Sequence, residues 1–586
     1  MAGGRKLDLV GASGVKGRIA VSVVLFILLA CIPLPASAAP PVSVSVSGIA
    51  ELFAQQRWAE VVDAAGRISV RETDLEFYHG VALARLGRWE EARARLLAGQ
   101  RLNPGDERFP VELGGVAFKQ KQYPQAAAWL RQAIRLNNKS PYANDFLATI
   151  YHLQGNLEAS LKYWNRIGKP KIGRALIQPG LRVDPVLLDR AFSFAPGEVL
   201  QLSELLDSRA RIQGMGIFSF PGFRLEGRED GRFDIGFAAG ERNGWGNGKL
   251  GAALSILRGA AYQTIQPEFF NLRGSAINLT SLVRWDPDKR RLQANLTSPL
   301  GGNPMYGYWL GVDLREERWD LRGSSRASAA SLGALRLRRN AVRAGISSFR
   351  SGPWSWSLGG ELSHRDYSDI RSGPGLQQSE LLSGYQLAQM SQLGLELWRL
   401  PERRFEGNLQ VSSDLGRIWT DASSAFQRLQ MSVRSRWLPK MTGEDYAMEG
   451  RVRAGKIFGR VPFDELFILG LERDNPLWMR GHIGTREGRK GSAPMGHSYF
   501  LSNWEIDKIV YSDGLVTVKL SPFLDTGKIG GRSSPLGSRT WLWDTGAQAK
   551  LSVLGIGFRF VYGKDLRSGN NSFYLMAEVG GNGSGR

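Results

Sequence analysis

The sequence predicts a multidomain chain: an α-helical repeat array, a small α/β module and a C-terminal transmembrane β-barrel of about 16 antiparallel strands. Three observations lead there. A pattern of small and large residues recurs at a spacing of 34 in the N-terminal part. Beyond residue 245, apolar and polar side chains alternate with a period of two. An N-terminal secretory signal is followed by no apolar run of about 20 residues, the length a spanning helix needs.

Composition agrees with many short strands. Among 586 residues there are 71 Gly and 17 Trp, suited to close turns and interfacial anchors. The formal charge of +21 would suit a nucleic acid or an anionic membrane surface. Arginines on loops and inside a barrel lumen account for it in this reading, and no nucleic-acid partner is expected. The single cysteine, Cys31, lies in the leader, so the mature chain is expected to carry neither a disulfide nor a cysteine metal site.

Residues 1–39 read as a secretory signal peptide. Arg5, Lys6, Lys16 and Arg18 form a basic start, residues 19–32 an apolar core, and Ala36-Ser37-Ala38 a small-residue cleavage site.

In residues 46–168, Gly80, Gly114 and Ala148 correspond at the repeat spacing, as do Ala92, Ala126 and Ser160, and Leu96, Leu130 and Trp164. Small residues let paired helices approach and large ones fill the space between. Gly80, Ala92, Gly114, Ala126, Ala148 and Trp164 are the expected packing positions. The pattern resembles the tetratricopeptide repeat, which implies a concave surface for a peptide or protein; a rigid spacer is the alternative. His79 and His152 lie in these helices without partners at metal-ligand spacing.

Residues 172–243 read as strand, two helices and two strands. Pro196-Gly197-Glu198 marks a turn and Asp230-Gly231 a hairpin. With Gly214-Met215-Gly216-Ile217-Phe218, this order resembles a POTRA module, the periplasmic domain preceding the barrel in the BamA/TamA and two-partner-secretion superfamily.

The barrel is expected over 245–580. Ile277, Leu279, Val283 and Trp285 face one way and Asn278, Thr280 and Arg284 the other; Trp354, Trp356 and Leu358 alternate with Ser355 and Ser357. Such alternation, apolar out and polar in, marks a spanning strand, and only closure satisfies its backbone in lipid. Tyr306, Tyr308, Trp309, Trp541 and Trp543 near predicted strand ends suit aromatic girdles.

The stretch 461–527 carries the most specific signal. Met479-Arg480-Gly481-His482 resembles the Val-Arg-Gly-aromatic motif on the sixth extracellular loop of the same superfamily, and Phe523-Leu524-Asp525-Thr526-Gly527 its Phe-x-Asp-x-Gly strand motif. Residues 562–574 resemble its final hairpin. The resemblance implies a loop folded into the lumen, with Arg480 held by Asp525, Phe523 packed beside the guanidinium, and Gly481 and Gly527 allowing close approach. It also implies a weak lateral seam between a first strand at 250–258, containing Leu254, and a last strand at 572–578, containing Phe573 and Tyr574. His482 departs from the usual aromatic. The chain also continues past its last strand to Gly583-Ser584-Gly585-Arg586, without a terminal aromatic.

The sequence contains no Gly-x-Ser-x-Gly elbow, His-Glu-x-x-His pair or phosphate-binding loop. No catalytic residue, metal site or cofactor is expected; His482 and His497 have no acidic residues nearby in a ligand pattern. The resemblance implies an outer-membrane barrel that inserts outer-membrane proteins or translocates a polypeptide, its N-terminal domains in the periplasm. Its partners would be the outer-membrane lipid bilayer and periplasmic polypeptide clients or assembly partners. Alternatives are a polysaccharide exporter with repeats and barrel, and a structural or adhesive barrel.

Overall fold

A computed structural model describes residues 45–578 apart from 220, 243, 246–251, 254–255, 257–258, 260–262, 323–328, 377, 421–422, 473, 514–515, 532–534 and 554–555. The leader, Cys31, Leu254 and the C-terminal extension lie outside the described residues. The chain divides into two compact units. The first comprises residues up to Leu176 with Pro196–Leu200 and Arg224–Gly236; the second holds Ile177–Ala195, Gln201–Phe223 and Phe237 onward.

The first unit opens with eight α-helices: α1 Val46–Ala54, α2 Trp58–Arg67, α3 Thr73–Arg85, α4 Trp89–Leu102, α5 Arg108–Lys119, α6 Tyr123–Leu136, α7 Pro141–Leu153 and α8 Leu157–Trp164. Side-chain caps start some of them: Ser45 accepts from Gly48 N and Asn156 from Ala159 N. The 34-residue period has a direct structural cause. A Cβ on Gly80 would stand 2.7 Å from Leu96 Cγ, and one on Gly114 would stand 2.9 Å from Leu130 Cγ. Both glycines, with Ala92, Ala126, Ala148 and Trp164, are buried. The α3–α4 and α5–α6 pairs close over a glycine, where a Cβ would press on the facing leucine, and the α7–α8 pair carries the small Ala148 at the same place.

The α/β segment is more interleaved than its sequence suggests. Strands β1 Ile172–Ile177, β2 Gly222–Gly227 and β3 Phe233–Ala238 form a sheet in the order β1-β3-β2, most of it within the first unit. There Phe233 packs edge-on to His152 and 5.1 Å from Trp164. Helices α9 Pro185–Ala191 and α10 Leu202–Gly214 belong instead to the second unit.

The second unit is a closed antiparallel barrel. Its wall runs through β4 Thr264–Ile265, β5 Glu268–Leu272, β6 Ile277–Asp286, β7 Lys289–Leu300, β8 Asn303–Arg322, β9 Ser331–Ser351, β10 Trp354–Arg371, β11 Gly384–Leu400, β12 Phe405–Trp419, β13 Ser424–Trp437 and β14 Tyr446–Gly459. It continues through β19 Ser498–Ser512, β20 Val516–Gly530, β21 Leu542–Val553, β22 Ile556–Asp565 and β23 Asn571–Glu578. β4 and β5 both pair with β6 and act as one interrupted strand. Between β14 and β19 lie four two-residue strands: β15 Phe467–Ile468, β16 Thr485–Arg486, β17 Arg489–Lys490 and β18 Met495–Gly496.

No described residue supports the expected first strand at 250–258. Ala252, Ala253 and Ile256 are helical, as the high helix propensity of alanine favours, and the first described wall strand is β4. The closing order sets β23 beside β4. As described, the strands meeting there are among the shortest of the wall.

Alternation along the strands separates two environments. On β20, Phe523 and Asp525 are buried while Leu520 and Leu524 face out, exposed. Outward apolar residues continue across strands: Val342, Leu362 and Leu387 lie side by side in register, each more than half exposed. Exposed aromatics gather at both rims, with Trp285, Tyr385, Trp419 and Trp543 at one and Tyr306, Trp354, Trp398 and Trp437 at the other. An apolar band between two aromatic girdles is the surface a bilayer selects.

The two rims differ. One has short connections such as 301–302 and 352–353; the other has longer ones such as 372–383 and 460–497. The α9–α10 segment sits at the short-turn rim. Arg190 Nη1 donates to Gly302 O, Asp184 N to Gly274 O, and Asn278 Nδ2 to Met215 O at 2.7 Å.

If the outward face meets lipid, Leu362→Arg will destabilise the barrel by about 2–4 kcal/mol, the usual cost of such a charge near the bilayer midplane. Urea unfolding in lipid vesicles measures it. An unchanged midpoint would mean that this face does not contact hydrocarbon.

Candidate functional site

The segment 460–497 folds back into the barrel. Its apolar residues explain why. Val461, Phe463, Leu466, Phe467, Leu469, Leu477, Met479 and Met495 are buried with the inward wall residues Trp319, Leu335, Leu337, Tyr367, Phe426, Tyr499 and Ile529. Burying each large apolar side chain stabilises by about 1.5–3 kcal/mol relative to exposure. Inside the loop, β15 pairs with β18. Asn475 Nδ2 donates to the carbonyls of Ile468 and Gly470, so a tight bend satisfies its own backbone.

Arg480 sits at the tip. Its Nε donates to Asp525 Oδ2 at 2.9 Å and its Nη2 to Asp525 Oδ1 at 2.6 Å, a two-point grip that fixes angle as well as distance. The Arg480 backbone N–H donates to the same carboxylate at 3.1 Å, and Asn503 Nδ2 donates at 2.7 Å. Asp525 is fully buried, and four donors stand in for its hydration shell. Nη1 reaches Glu505 Oε2 at 2.7 Å, and the guanidinium lies 3.8 Å over the Phe523 ring. Phe523 and Asp525 meet one cation because strand period two puts both on the lumen face.

The backbone beside Arg480 is inserted equally closely. Gly481 N donates to Asp544 Oδ2 at 2.6 Å, and a Cβ on Gly481 would stand 2.7 Å from the Asp544 carboxyl carbon. Ser572 Oγ donates to Arg480 O at 2.5 Å. A Cβ on Gly563 would stand 2.2 Å from Arg480 O. At Gly527 a Cβ would stand 3.2 Å from Met479 Sδ, a tight contact and not a collision. Asp525, Asp544, Gly563 and Ser572 lie on β20, β21, β22 and β23, so one loop tip touches the last four wall strands.

Other charges anchor the rest of the loop. Asp464 accepts from Tyr367 at 2.7 Å and pairs with Arg365 at 3.2 Å. Glu465 is held by Arg339 at 3.0 Å and Arg365 at 3.3 Å. Asp474 accepts from Arg284 at 2.9 Å and Arg291 at 2.8 Å, while Lys490 donates to Glu317 at 2.6 Å. The loop lends carboxylates to a basic wall and Arg480 to an acidic one.

Sequence reasoning singled out Arg480, Gly481, Phe523, Asp525 and Gly527, and the structure brings them together. It missed Glu505, Asp544 and Ser572, and the anchors Asp464, Glu465 and Asp474. The adjacent acids Asp464-Glu465 in an otherwise apolar stretch were the available signal. Of the seam residues, Phe573 points outward at 74% exposure, and Tyr574 packs inward beside Leu471, Phe523 and Val561. Leu254 is outside the described residues.

One expectation is corrected. His482 does have acidic neighbours: Nδ1 lies 3.1 Å from Asp544 Oδ2, and Nε2 lies 3.7 Å from Asp565 Oδ2. These aspartates come from β21 and β22, far along the chain, so no local ligand pattern announced them. His497 faces Glu380 Oε1 at 3.5 Å.

A tetratricopeptide-repeat family description matches residues 79–141. No curated protein matches the chain. Among solved structures, the chain is similar to CdiB from Escherichia coli at 15% identity, covering 70% of this chain and 75% of that one with a TM-score of 0.45. It is also similar to BamA from Haemophilus ducreyi lacking POTRA domains 1–3, at 12% identity over 70% and 84% of the two chains, TM-score 0.40. For CdiB from Acinetobacter baumannii the values are 12%, 70%, 74% and 0.40.

Removing one partner of a buried ion pair strands the other. Asp525→Ala is expected to lower barrel stability by about 3–5 kcal/mol, with loss of heat-resistant migration on gels as the simplest readout. Wild-type behaviour of this variant would show that Arg480 is held adequately by Glu505 and Phe523 alone.

Proposed function

We propose that the protein is an outer-membrane, protein-handling barrel that inserts outer-membrane proteins or passes a polypeptide across the membrane. The observation that carries this reading is the latched inward loop. Its tip grips β20 to β23 through Arg480, Gly481 and their partners, and β23 ends beside the short first strand. A wall strand that is short at the closing seam offers an edge to which an incoming strand can pair. The loop is the element positioned to govern that edge, through the Ser572 contact to β23 itself.

Orientation follows from the rims. Membrane barrels carry short turns on the periplasmic side and long loops outside. The α9–α10 segment meets the short-turn rim, which supports a periplasmic position for it and for the helical array preceding it in the chain. In this reading residues 172–243 act as the POTRA-like module their strand-helix-helix-strand-strand order resembles. An extended client segment would add to the sheet edge, and the array would collect clients. Nothing in the cycle requires bond chemistry by the chain; the folding of the client supplies the driving force.

A polysaccharide exporter fits less well. A sugar path needs free stacking aromatics in the lumen, and four inward aromatics among the described residues are engaged by the loop. Trp319 packs against Phe463, Tyr367 binds Asp464, Tyr499 packs on Phe467 and Phe523 underlies Arg480.

A photoreactive amino acid in place of Phe573 on β23, or of exposed Tyr142 in the array, tests this in living cells. Capture of unfolded outer-membrane proteins, or of one dedicated secreted polypeptide, from both positions is the expected result. Properly assembled protein that captures no polypeptide from either position would leave a structural barrel.

A further inference from the structure

We propose that His482, Asp544 and Asp565 form a binding site for one divalent transition-metal cation. Asp525 pairs with Asp544, and Asp544 pairs with Asp565, so three carboxylates stand in a row across β20, β21 and β22. Like charges directly opposite one another repel. Arg480 answers Asp525. Among the described residues, neither Asp544 nor Asp565 has a lysine or arginine ion-pair partner; the one ionisable side chain facing each across an ion-pair distance is His482, while Asp565 also accepts from Ser568 Oγ and Arg567 N.

The second observation is at Asp544. Its side chain is fully buried, and while Oδ2 accepts from Gly481 N, its Oδ1 accepts no hydrogen bond. An unanswered carboxylate oxygen in the interior is costly. A bound cation is the economical answer, because two positive charges balance both aspartates while the imidazole stays neutral. One donor atom from each of the three residues lies within 4.8 Å of the other two, and all three residues are buried. Donors bound to one metal at about 2.1 Å stand about 3–4 Å apart, so small side-chain shifts suffice.

Ligand chemistry sets the class of ion. One imidazole with two carboxylates suits Zn2+, Mn2+ or Co2+. Calcium prefers an all-oxygen cage, and the absence of a thiolate from the set disfavours Cu+. The position explains what the ion would do. It would join the loop tip to β21 and β22 next to the Arg480 grip, making the latch depend on metal as well as on the ion pair. The site stands whether or not the barrel handles proteins.

The test uses the full chain in detergent micelles, stripped with chelator and titrated with Co2+. Visible absorption reports imidazole-carboxylate coordination, and thermal unfolding is followed in parallel. The expected result is one equivalent bound, new visible bands and a raised unfolding temperature. His482→Phe, which installs the aromatic of the resembled motif, is expected to weaken binding by more than about 100-fold, beyond the loss typical of an outer-shell partner. Asp565→Asn is expected to weaken it as well, with heat-resistant gel migration confirming that both variants fold. Absence of visible bands in the native protein, or equal binding by folded His482→Phe, overturns the proposal and leaves a hydrogen-bonded His482 between two carboxylates.

Discussion

Charge brought into a closed lumen has to be met there, and that requirement shapes this barrel. Arg480 is the sharpest case. It enters on a loop whose neighbours are apolar, and it is received by Asp525, Glu505 and the face of Phe523. Elsewhere the exchange runs the other way, with Asp464, Glu465 and Asp474 of the loop seated among Arg284, Arg291, Arg339 and Arg365 of the wall. Apolar burial gives the loop its reason to enter; paired charges fix where each part stops. Hydrophobic packing is non-directional, whereas a bidentate guanidinium–carboxylate contact is not. Part of the high content of arginine is therefore lumen chemistry.

The outer surface obeys the opposite rule. Polar groups are withdrawn from a band of leucine, valine and isoleucine bounded by aromatics at both rims. The same strand period that points Asp525 inward points Leu524 outward, so membrane face and latch are two consequences of one alternation. At the short-turn rim the α9–α10 segment is hydrogen-bonded to the barrel's turns. The loop tip holds the last four strands from inside. The barrel is thus braced near its closing seam.

Much of this was legible in the sequence for identifiable reasons. Gly80 and Gly114 recur because each lies under a leucine of the paired helix, and that steric demand repeats with the fold. Alternation exposed the wall. Arg480 and Asp525 stood out because each sits in a glycine-containing motif resembling a known family. What stayed hidden depends on distant register. His482 looked isolated because Asp544 and Asp565 reach it only when β20, β21 and β22 align. Glu505 and Ser572 were ordinary polar residues until the loop tip reached them. The α/β segment read as one module because its elements are consecutive, yet its sheet and helices fall in different compact units. The alanine pair at 252–253 read as strand within a barrel context, and local helix propensity prevailed.

The central claim is that the loop lies inside the barrel in the native state. In a Cys31→Ser background, a single Ser492→Cys substitution places one thiol on the loop at a buried position, 3% exposed. Labelling of intact cells by a bulky membrane-impermeant maleimide measures its access. The account predicts slow labelling in the native protein and rapid labelling after denaturation. Rapid labelling of the native protein would place the loop outside the lumen and contradict the account.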